Sequence, residues 1–467
     1  MSAAGRVPWL WVVTAGGAIG FAYTLSPLTV VVCAGLVPLW RWASAGLTPQ
    51  ERRWVLGLFA IALALRAAAI AGLFLTADPT VPYANFFGDE EFFKRKTTWL
   101  RNVAMGIPIS KADFLYAYDE TGFSSYLYVL SYLQALVGLS PYGIHVLNAG
   151  AYLAAVLVLF RIMRKAFGEL VGLFGTAVLL FLPSLFIWSI SALKEPLYFL
   201  VVSVNLGAAM TMVRGRPWTW RLVAFVTMFA GGFALQTLRE GGLVLAFAGA
   251  GGGLALAFLV QRPRLLLAAC AAVPLVALLA FTRPVVQERA WDAVHQVALK
   301  HWGYINTPGV TYKLMPPEFY VDRQAIQAMT PAQATQYSLR AVWAYLTVPL
   351  PWAIESRSAL AFLPEQIIWY CLFLLLPFGV LAGLKRDVLL TCMLISHGIV
   401  SAAMVAVSGG NVGTLVRHRG LALPYLVWFG GLGAVSLALW ILSSARSRQF
   451  EHLATLDESD GASHATS

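Results

Sequence analysis

Long apolar runs separated by short cationic loops dominate the chain, and no other feature constrains its fold as tightly. Residues 54–77 (WVLGLFAIALALRAAAIAGLFLTA) hold a single charge, Arg66. A helix of about 20 apolar residues matches the hydrocarbon thickness of a bilayer. Similar runs recur along the 467 residues, of which 59% are hydrophobic and only 12% charged. Soluble domains carry about 25% charged residues, so a water-facing surface for this chain could not be built. A soluble enzyme, a disordered chain and a disulfide scaffold are excluded. The runs lack the strict alternation of a transmembrane β-barrel. The expected fold is an all-α polytopic membrane protein.

Charge sets the topology. The net charge is +11, and the cations between apolar runs form clusters at 41–53, 161–165, 214–221, 262–264, 385–386 and 446–448. Placing these clusters inside, by the positive-inside rule, gives about 12 transmembrane helices with both termini cytoplasmic. The expected spans are 8–24, 26–40, 54–77, 143–160, 168–188, 195–213, 219–237, 241–260, 264–282, 365–384, 388–408 and 420–443. Ser26-Pro27 divides the first apolar stretch into a hairpin, with a single long helix as the alternative. The chain then divides into an N-terminal hairpin and link (1–53), a core (54–282) with an outer loop at 78–122, a second outer-face region (283–364), C-terminal spans (365–443) and a disordered cytoplasmic tail (444–467). A short aromatic segment within 123–139 reads as a half-helix at the interface. Cys33, Cys270, Cys371 and Cys392 fall inside apolar runs and read as buried packing residues without metal or disulfide spacing. No basic stripe is interleaved with aromatics, so nucleic acid is not an expected partner.

The charges left over concentrate on the outer face. Phe86-Phe87-Gly88-Asp89-Glu90-Glu91-Phe92-Phe93-Lys94-Arg95-Lys96 sets three acids before three bases between paired phenylalanines. Partial desolvation there can tune a carboxylate for proton transfer. Lys194-Glu195 and Arg239-Glu240 occupy two outer turns, and Asp119-Glu120 ends the first outer loop. Ser408 to Arg419 joins two glycines and Asn411 to Arg417, His418 and Arg419. Three potential cations in succession at a membrane surface suit a lipid-linked phosphate or diphosphate, and the glycines would let backbone approach a ligand. Ordinary headgroup contact and solvated ion pairs are the alternatives. A carboxylate to take a proton from a hydroxyl, and cations to receive a departing phosphate, are what group transfer from a polyprenyl-phosphate carrier requires. No nucleotide-binding loop is present, and no ligand spacing demands a metal.

These features resemble the multi-spanning glycosyltransferases of the type-C fold, which include protein O-mannosyltransferases and aminoarabinose transferases. The matching stretches are Ala62–Arg66 followed by Gly88-Asp89-Glu90, then Ala135–Gly168, LPSLFIWSISALKEPLYF and GGFALQTLREGGLVLA. They cover about residues 54–260. The His-Pro-Pro element of many members is replaced by Gly122-Phe123-Ser124-Ser125. The resemblance implies a polyprenyl-phosphate-linked sugar as donor and an envelope glycan, lipid or protein as acceptor. It implies Asp89 as general base with Glu90 as rival or orienting partner, and Asp119-Glu120 as sugar contacts. Lys194, Arg239, Arg417 and Arg419 would form the phosphate site with His418 assisting, and Arg66 would anchor Asp89 or Glu90 from below. Transfer would invert the anomeric centre, since one displacement needs one base. An outer-face polysaccharide polymerase or ligase and a lipid-linked sugar transporter are the competing functions. A transporter would call for internal repeats and charged or broken helices lining a midplane cavity.

Overall fold

A computed structural model describes residues 9–78, 86–87, 89–120, 122–214, 217–307, 309–353, 360 and 362–464. Gly88 and Arg216, both included in the expectations above, lie outside them. The described residues are helical, with one isolated β-bridge between Thr311 and Asn411. The helices are α1 (Trp9–Leu25), α2 (Pro27–Ser44), α3 (Pro49–Thr76), α4 (Glu90–Ala104), α5 (Lys111–Tyr118), α6 (Ser125–Val137), α7 (Pro141–Phe167), α8 (Glu169–Phe181), α9 (Pro183–Ile190) and α10 (Glu195–Val213). They continue as α11 (Trp218–Leu238), α12 (Gly242–Val260), α13 (Pro263–Phe281), α14 (Pro284–Ile305), α15 (Glu318–Val321), α16 (Pro331–Thr347), α17 (Leu363–Arg386), α18 (Val388–Ala406), α19 (Val412–Arg419) and α20 (Leu423–His464).

Among the described residues, ten helices are long and apolar enough to cross a membrane, or eleven when the bent pair α8–α9 counts as one span. The chain is thus a multi-pass helical membrane protein. The remaining expected span, α1, is a helix of 17 residues. Ser26 separates α1 from α2 with an extended backbone, and Pro27 opens the second helix, so the first apolar stretch is two helices. The last helix runs on to His464, through the segment expected to be a disordered tail. Cys33, Cys270 and Cys371 face outward and only Cys392 is buried, which corrects the expectation that all four pack inside. An outward-facing thiol on a span costs little where the surroundings are lipid.

Helix ends are fixed by local chemistry. Thr48 and Glu51 form a reciprocal capping box at the start of α3, satisfying two backbone donors. Both Glu51 oxygens then take the Arg164 guanidinium, at 2.9 and 2.8 Å, which ties α3 to the end of α7. Gly379 has no room for a β-carbon, because the Phe429 carbonyl lies against it. That closeness lets α17 and α20 cross backbone to backbone.

The break between α8 and α9 explains the arginine in mid-span. Pro183 has no N–H to give the Leu179 carbonyl, and the pair bends by 61°. The Tyr152 hydroxyl donates to the Leu179 carbonyl instead (2.5 Å), and Arg66 Nη2 donates to that of Leu180 (3.0 Å). On the other side of the break, Glu365 accepts from the Ser184 N–H at 2.8 Å and from its hydroxyl at 2.5 Å. A cation thus sits at the C-terminus of one half-helix and an anion at the N-terminus of the next, as the helix dipole favours. Arg66 also donates to the Ser189 hydroxyl at 2.8 Å. It therefore serves the helix break and does not anchor Asp89 or Glu90 as expected.

Residues 283–364, expected as an outer loop region, contain α14, α15 and α16 around a separate apolar core that includes Ala298, Leu314, Phe319, Ile326 and Tyr337. A chain of hydrogen bonds docks this layer onto the turn before α19. The backbone N–H groups of Leu314 and Met315 donate to the Tyr320 oxygen at 2.9 and 3.0 Å. The Tyr320 O–H points to His301 Nε2 at 2.9 Å, and His301 Nδ1 donates to the Gly409 carbonyl. Gly410 packs against His301, whose carbonyl would lie 2.7 Å from a β-carbon there. The glycines at 409–410 thus admit another part of the chain, where a ligand was expected.

Only a neutral imidazole can both accept from Tyr320 and donate to Gly409. Burial pushes the pKa of His301 down to about 4 from 6.5, against the opposing pull of the Gly409 bond. The folded value lies below the unfolded one, so this stability is present above pH 6.5 and is lost as pH falls towards 4. Limited proteolysis between α14 and α16 should accelerate across that window. A His301→Gln variant should be cleaved readily at every pH, with no such inflection; an inflection of the same size in the variant would assign the pH dependence to another group.

Candidate charged site

Four separate segments bring their charges to one end of the helical bundle. Asp89 caps α4, Lys194 and Glu195 open α10, Arg239 closes α11, and Arg417 and His418 lie in α19. Glu195 is the hub. Its Oε1 accepts from Arg417 Nε at 2.9 Å and also from Arg417 Nη2, and it stands 3.9 Å from Arg239 Nη1. Arg417 Nη1 reaches Asp89 Oδ2 at 3.8 Å, and its guanidinium lies 5.0 Å over the Trp188 ring. The Asp89 side chain is 70% exposed, whereas those of Glu195 and Arg417 are mostly buried. Asp89 is therefore the carboxylate open to a solvent-borne or lipid-borne reactant.

The cations are tuned differently. Burial works against the charge of Arg417, but Glu195 and then Asp89 outweigh it and hold its pKa above the usual value. Burial lowers that of Lys194, Glu195 opposes, and Arg239 and Arg417 lower it further. His418 is held neutral by burial first, then by the same two arginines. Arginine has no acceptor, so the 2.9 Å contact between Arg239 Nη2 and His418 Nε2 makes Nε2 the acceptor. The proton then sits on Nδ1, a buried donor that finds no hydrogen-bond partner. Glu195 Oε2 is likewise buried and unpartnered. Beneath the cluster lies a cavity of about 30 Å³, lined among others by Tyr152, Trp188, Ser189, Glu195, Phe199 and Arg417. That is room for a water or a reacting hydroxyl.

The turn that presents Lys194 and Glu195 is gripped from three sides. His145 Nδ1 bonds the Ile190 carbonyl at 2.6 Å, and Asn148 Nδ2 donates to the carbonyls of Ser191 (2.6 Å) and Leu193 (2.8 Å). Glu90 Oε1 accepts from the Ala192 N–H at 2.6 Å. Glu90 is fully buried, and its other oxygen takes Lys94 (3.3 Å) and the Phe86 N–H (3.2 Å). With its lone pairs committed, it acts on the site by positioning the turn. His145 and Asn148 were not among the expected site residues. Their signal was two polar side chains three apart on an apolar helix, which places them on one face.

Other expected residues fall elsewhere. Arg419 points away, to the carbonyls of Tyr345 (2.7 Å) and Ala344 (3.4 Å) and to Gln366 (2.6 Å), and burial pushes its pKa down to about 10. It joins α16 to α17 and is not open to a phosphate. Asn411 caps α19 by accepting from the N–H groups of Gly413 and Thr414. Glu240 is exposed and meets Lys300 at 3.5 Å. Asp119 and Glu120 are exposed after α5, with the Asp119 carbonyl taking Lys96 at 2.5 Å.

No protein-family model matches the chain, and no curated protein matches its sequence.

Removing one partner of a buried ion pair leaves an uncompensated charge and costs about 3–5 kcal/mol. A Glu195→Gln variant should therefore melt well below the parent protein in detergent. Glu240→Gln, at an exposed pair, should melt with the parent. Equal melting of all three proteins would mean that Glu195 does not hold Arg417 in place.

Proposed function

We propose that the protein is a membrane glycosyltransferase that moves a sugar from a polyprenyl-phosphate carrier to an envelope glycan, lipid or protein acceptor. The observation that carries this reading is the meeting of an exposed carboxylate, Asp89, with a buried guanidinium, Arg417, at 3.8 Å. Around that pair stand two further cations, Lys194 and Arg239, and one further carboxylate, Glu195, so the cluster holds three cations against two carboxylates. This excess of positive charge at a partly desolvated surface favours a phosphate group. A phosphate arriving at Arg417 would compete with Asp89 for it and free the carboxylate to act as base.

In the proposed step the acceptor O–H gives its proton to Asp89 as its oxygen bonds to the sugar C1. The C1–O bond to the carrier breaks on the opposite side, and the electron pair leaves with the phosphate. Arg417, Lys194 and Arg239 stabilise that leaving charge. One displacement inverts the anomeric centre. Glu195 keeps Arg417 aimed, while Glu90 holds the turn that carries Glu195. The resemblance to type-C glycosyltransferases supports the same assignment of Asp89.

The sidedness belongs to this reading. Twelve crossings, counting α1 and the bent pair with the ten long spans, put both termini on the cytoplasmic side of the inner membrane and the charged cluster outside. The cation clusters at the other helix ends support it. Three cations around one site also suit a diphosphate-linked donor, which keeps a polysaccharide polymerase or ligase as the second reading.

The test is transfer from a panel of labelled polyprenyl-phosphate hexoses in membranes carrying the protein. Asp89→Asn should lower transfer by about 10²–10⁴-fold with unchanged membrane insertion and melting, and Arg417→Lys should also lower it sharply. Full transfer by Asp89→Asn would remove the catalytic assignment. Movement of the labelled lipid across vesicles with no new glycosidic bond would identify a transporter instead.

A further inference from the structure

A sizeable cavity lies at the opposite end of α10 from the charged cluster. Its volume is about 450 Å³, within the usual range of about 300–1,000 Å³ for small-molecule sites. It opens between the ends of α2, α7, α10 and α11. Glu195 begins α10 and Arg214 follows its last residue. At 1.5 Å per residue that places the two sites roughly 28 Å apart along one helix, about the thickness of the bilayer hydrocarbon.

The lining is basic and aromatic. Arg161 and Lys165 come from successive turns of α7, Arg214 from the end of α10, and Trp42 and Trp220 flank them. None of the nine lining residues is acidic. Arg214 is already paired with Asp387. Arg161 Nη1 serves the carbonyls of Ala43 and Ala45, and its guanidinium lies 5.8 Å over the Trp42 ring, so it is fixed in place with its remaining N–H groups unassigned. Lys165 is exposed, with no ion-pair partner among the described residues. Gly207, on the α10 wall, adds no side chain to the space. Two indoles at this level suit the water–lipid boundary.

We propose that this cavity is a second site, which takes the phosphate headgroup of an anionic membrane phospholipid. Lys165 and Arg161 would bind the phosphate, Arg214 would rim the site through its Asp387-fixed guanidinium, and Trp42 and Trp220 would flank the glycerol and upper acyl carbons. A basic pocket between spanning helices is the form in which such headgroups are held. Trp42 and Trp220 are both exposed at the cavity rim, which would leave the acyl chains a route into the bilayer.

Native mass spectrometry of the full chain in detergent, titrated with phosphatidylglycerol and with phosphatidylcholine of the same acyl chains, tests this. Phosphatidylglycerol should be retained about tenfold more tightly. Lys165→Gln, at an exposed position that leaves the fold intact, should weaken it by about fivefold, the worth of one cation at an anionic surface. Arg161→Gln should weaken it at least as much, and the weaker binding of phosphatidylcholine, whose choline already offsets the phosphate charge, should change less in either variant. Equal retention of the two lipids, or undiminished phosphatidylglycerol binding by Lys165→Gln, would overturn the proposal. Retention of inorganic phosphate by the protein with no retained phosphatidylglycerol would overturn the lipid as ligand and leave a free-phosphate site. Sugar transfer plays no part in this readout, so the outcome is independent of the catalytic reading.

Discussion

The ion pair between Glu195 and Arg417 is the interaction on which the charged end of the helical bundle depends. It joins the start of α10 to α19 and holds the guanidinium within reach of Asp89. Burying two charges is expensive, and their attraction repays it only when geometry is good and the remaining polar atoms are satisfied. Here one carboxylate oxygen takes both arginines, leaving the other oxygen without a partner. A pair built for stability alone would satisfy both. The arrangement keeps a hydrogen-bonding position open beside a small cavity, a property expected of a site that receives a ligand.

That pair is only as well placed as the turn beneath it. Residues 191–194 follow a helix broken at Pro183, and the break must be stable inside a membrane, where unsatisfied backbone groups cost several kcal/mol each. Tyr152, Arg66 and Glu365 supply the missing partners. His145, Asn148 and Glu90 then fix the turn itself. Buried polar residues on α3, α4, α7 and α17 thus converge on one objective, a short bent element that delivers Lys194 and Glu195 at a defined position.

Much of this was legible in the amino-acid sequence, though unevenly. The helical class follows from run length, and the expected spans all fall on helices. The scarcity of charge drew attention to Asp89, Lys194, Glu195, Arg239, Arg417 and His418, which do come together. Roles were harder to read. Arg417, His418 and Arg419 are consecutive, but successive residues on a helix point about 100° apart, so Arg417 meets Glu195 while Arg419 meets Tyr345 and Gln366. Asp89 and Glu90 diverge for the same reason, one exposed and one buried. Arg66 could be seen to need a partner, but carbonyls freed by a proline far along the chain leave no local trace. Glu365 lies at the start of an apolar run, and nothing beside it in the sequence points to its partner Ser184, 181 residues away.

The two ends of α10 differ in how their cations are held, and the difference bears on function. At its N-terminal end, Arg417 and Arg239 are balanced by Glu195, so the site has charge of both signs and an exposed carboxylate. At the other end, the cavity lining has cations and indoles without an acid of its own. Mixed charge suits a site where a proton moves and an anion departs, because the bound state must remain reversible. A cavity where Asp387 balances Arg214 but no acid pairs with Arg161 or Lys165 among the described residues suits steady occupancy by an anion. One helix of 19 residues thereby carries a cluster of mixed charge at one end and a basic, aromatic cavity at the other.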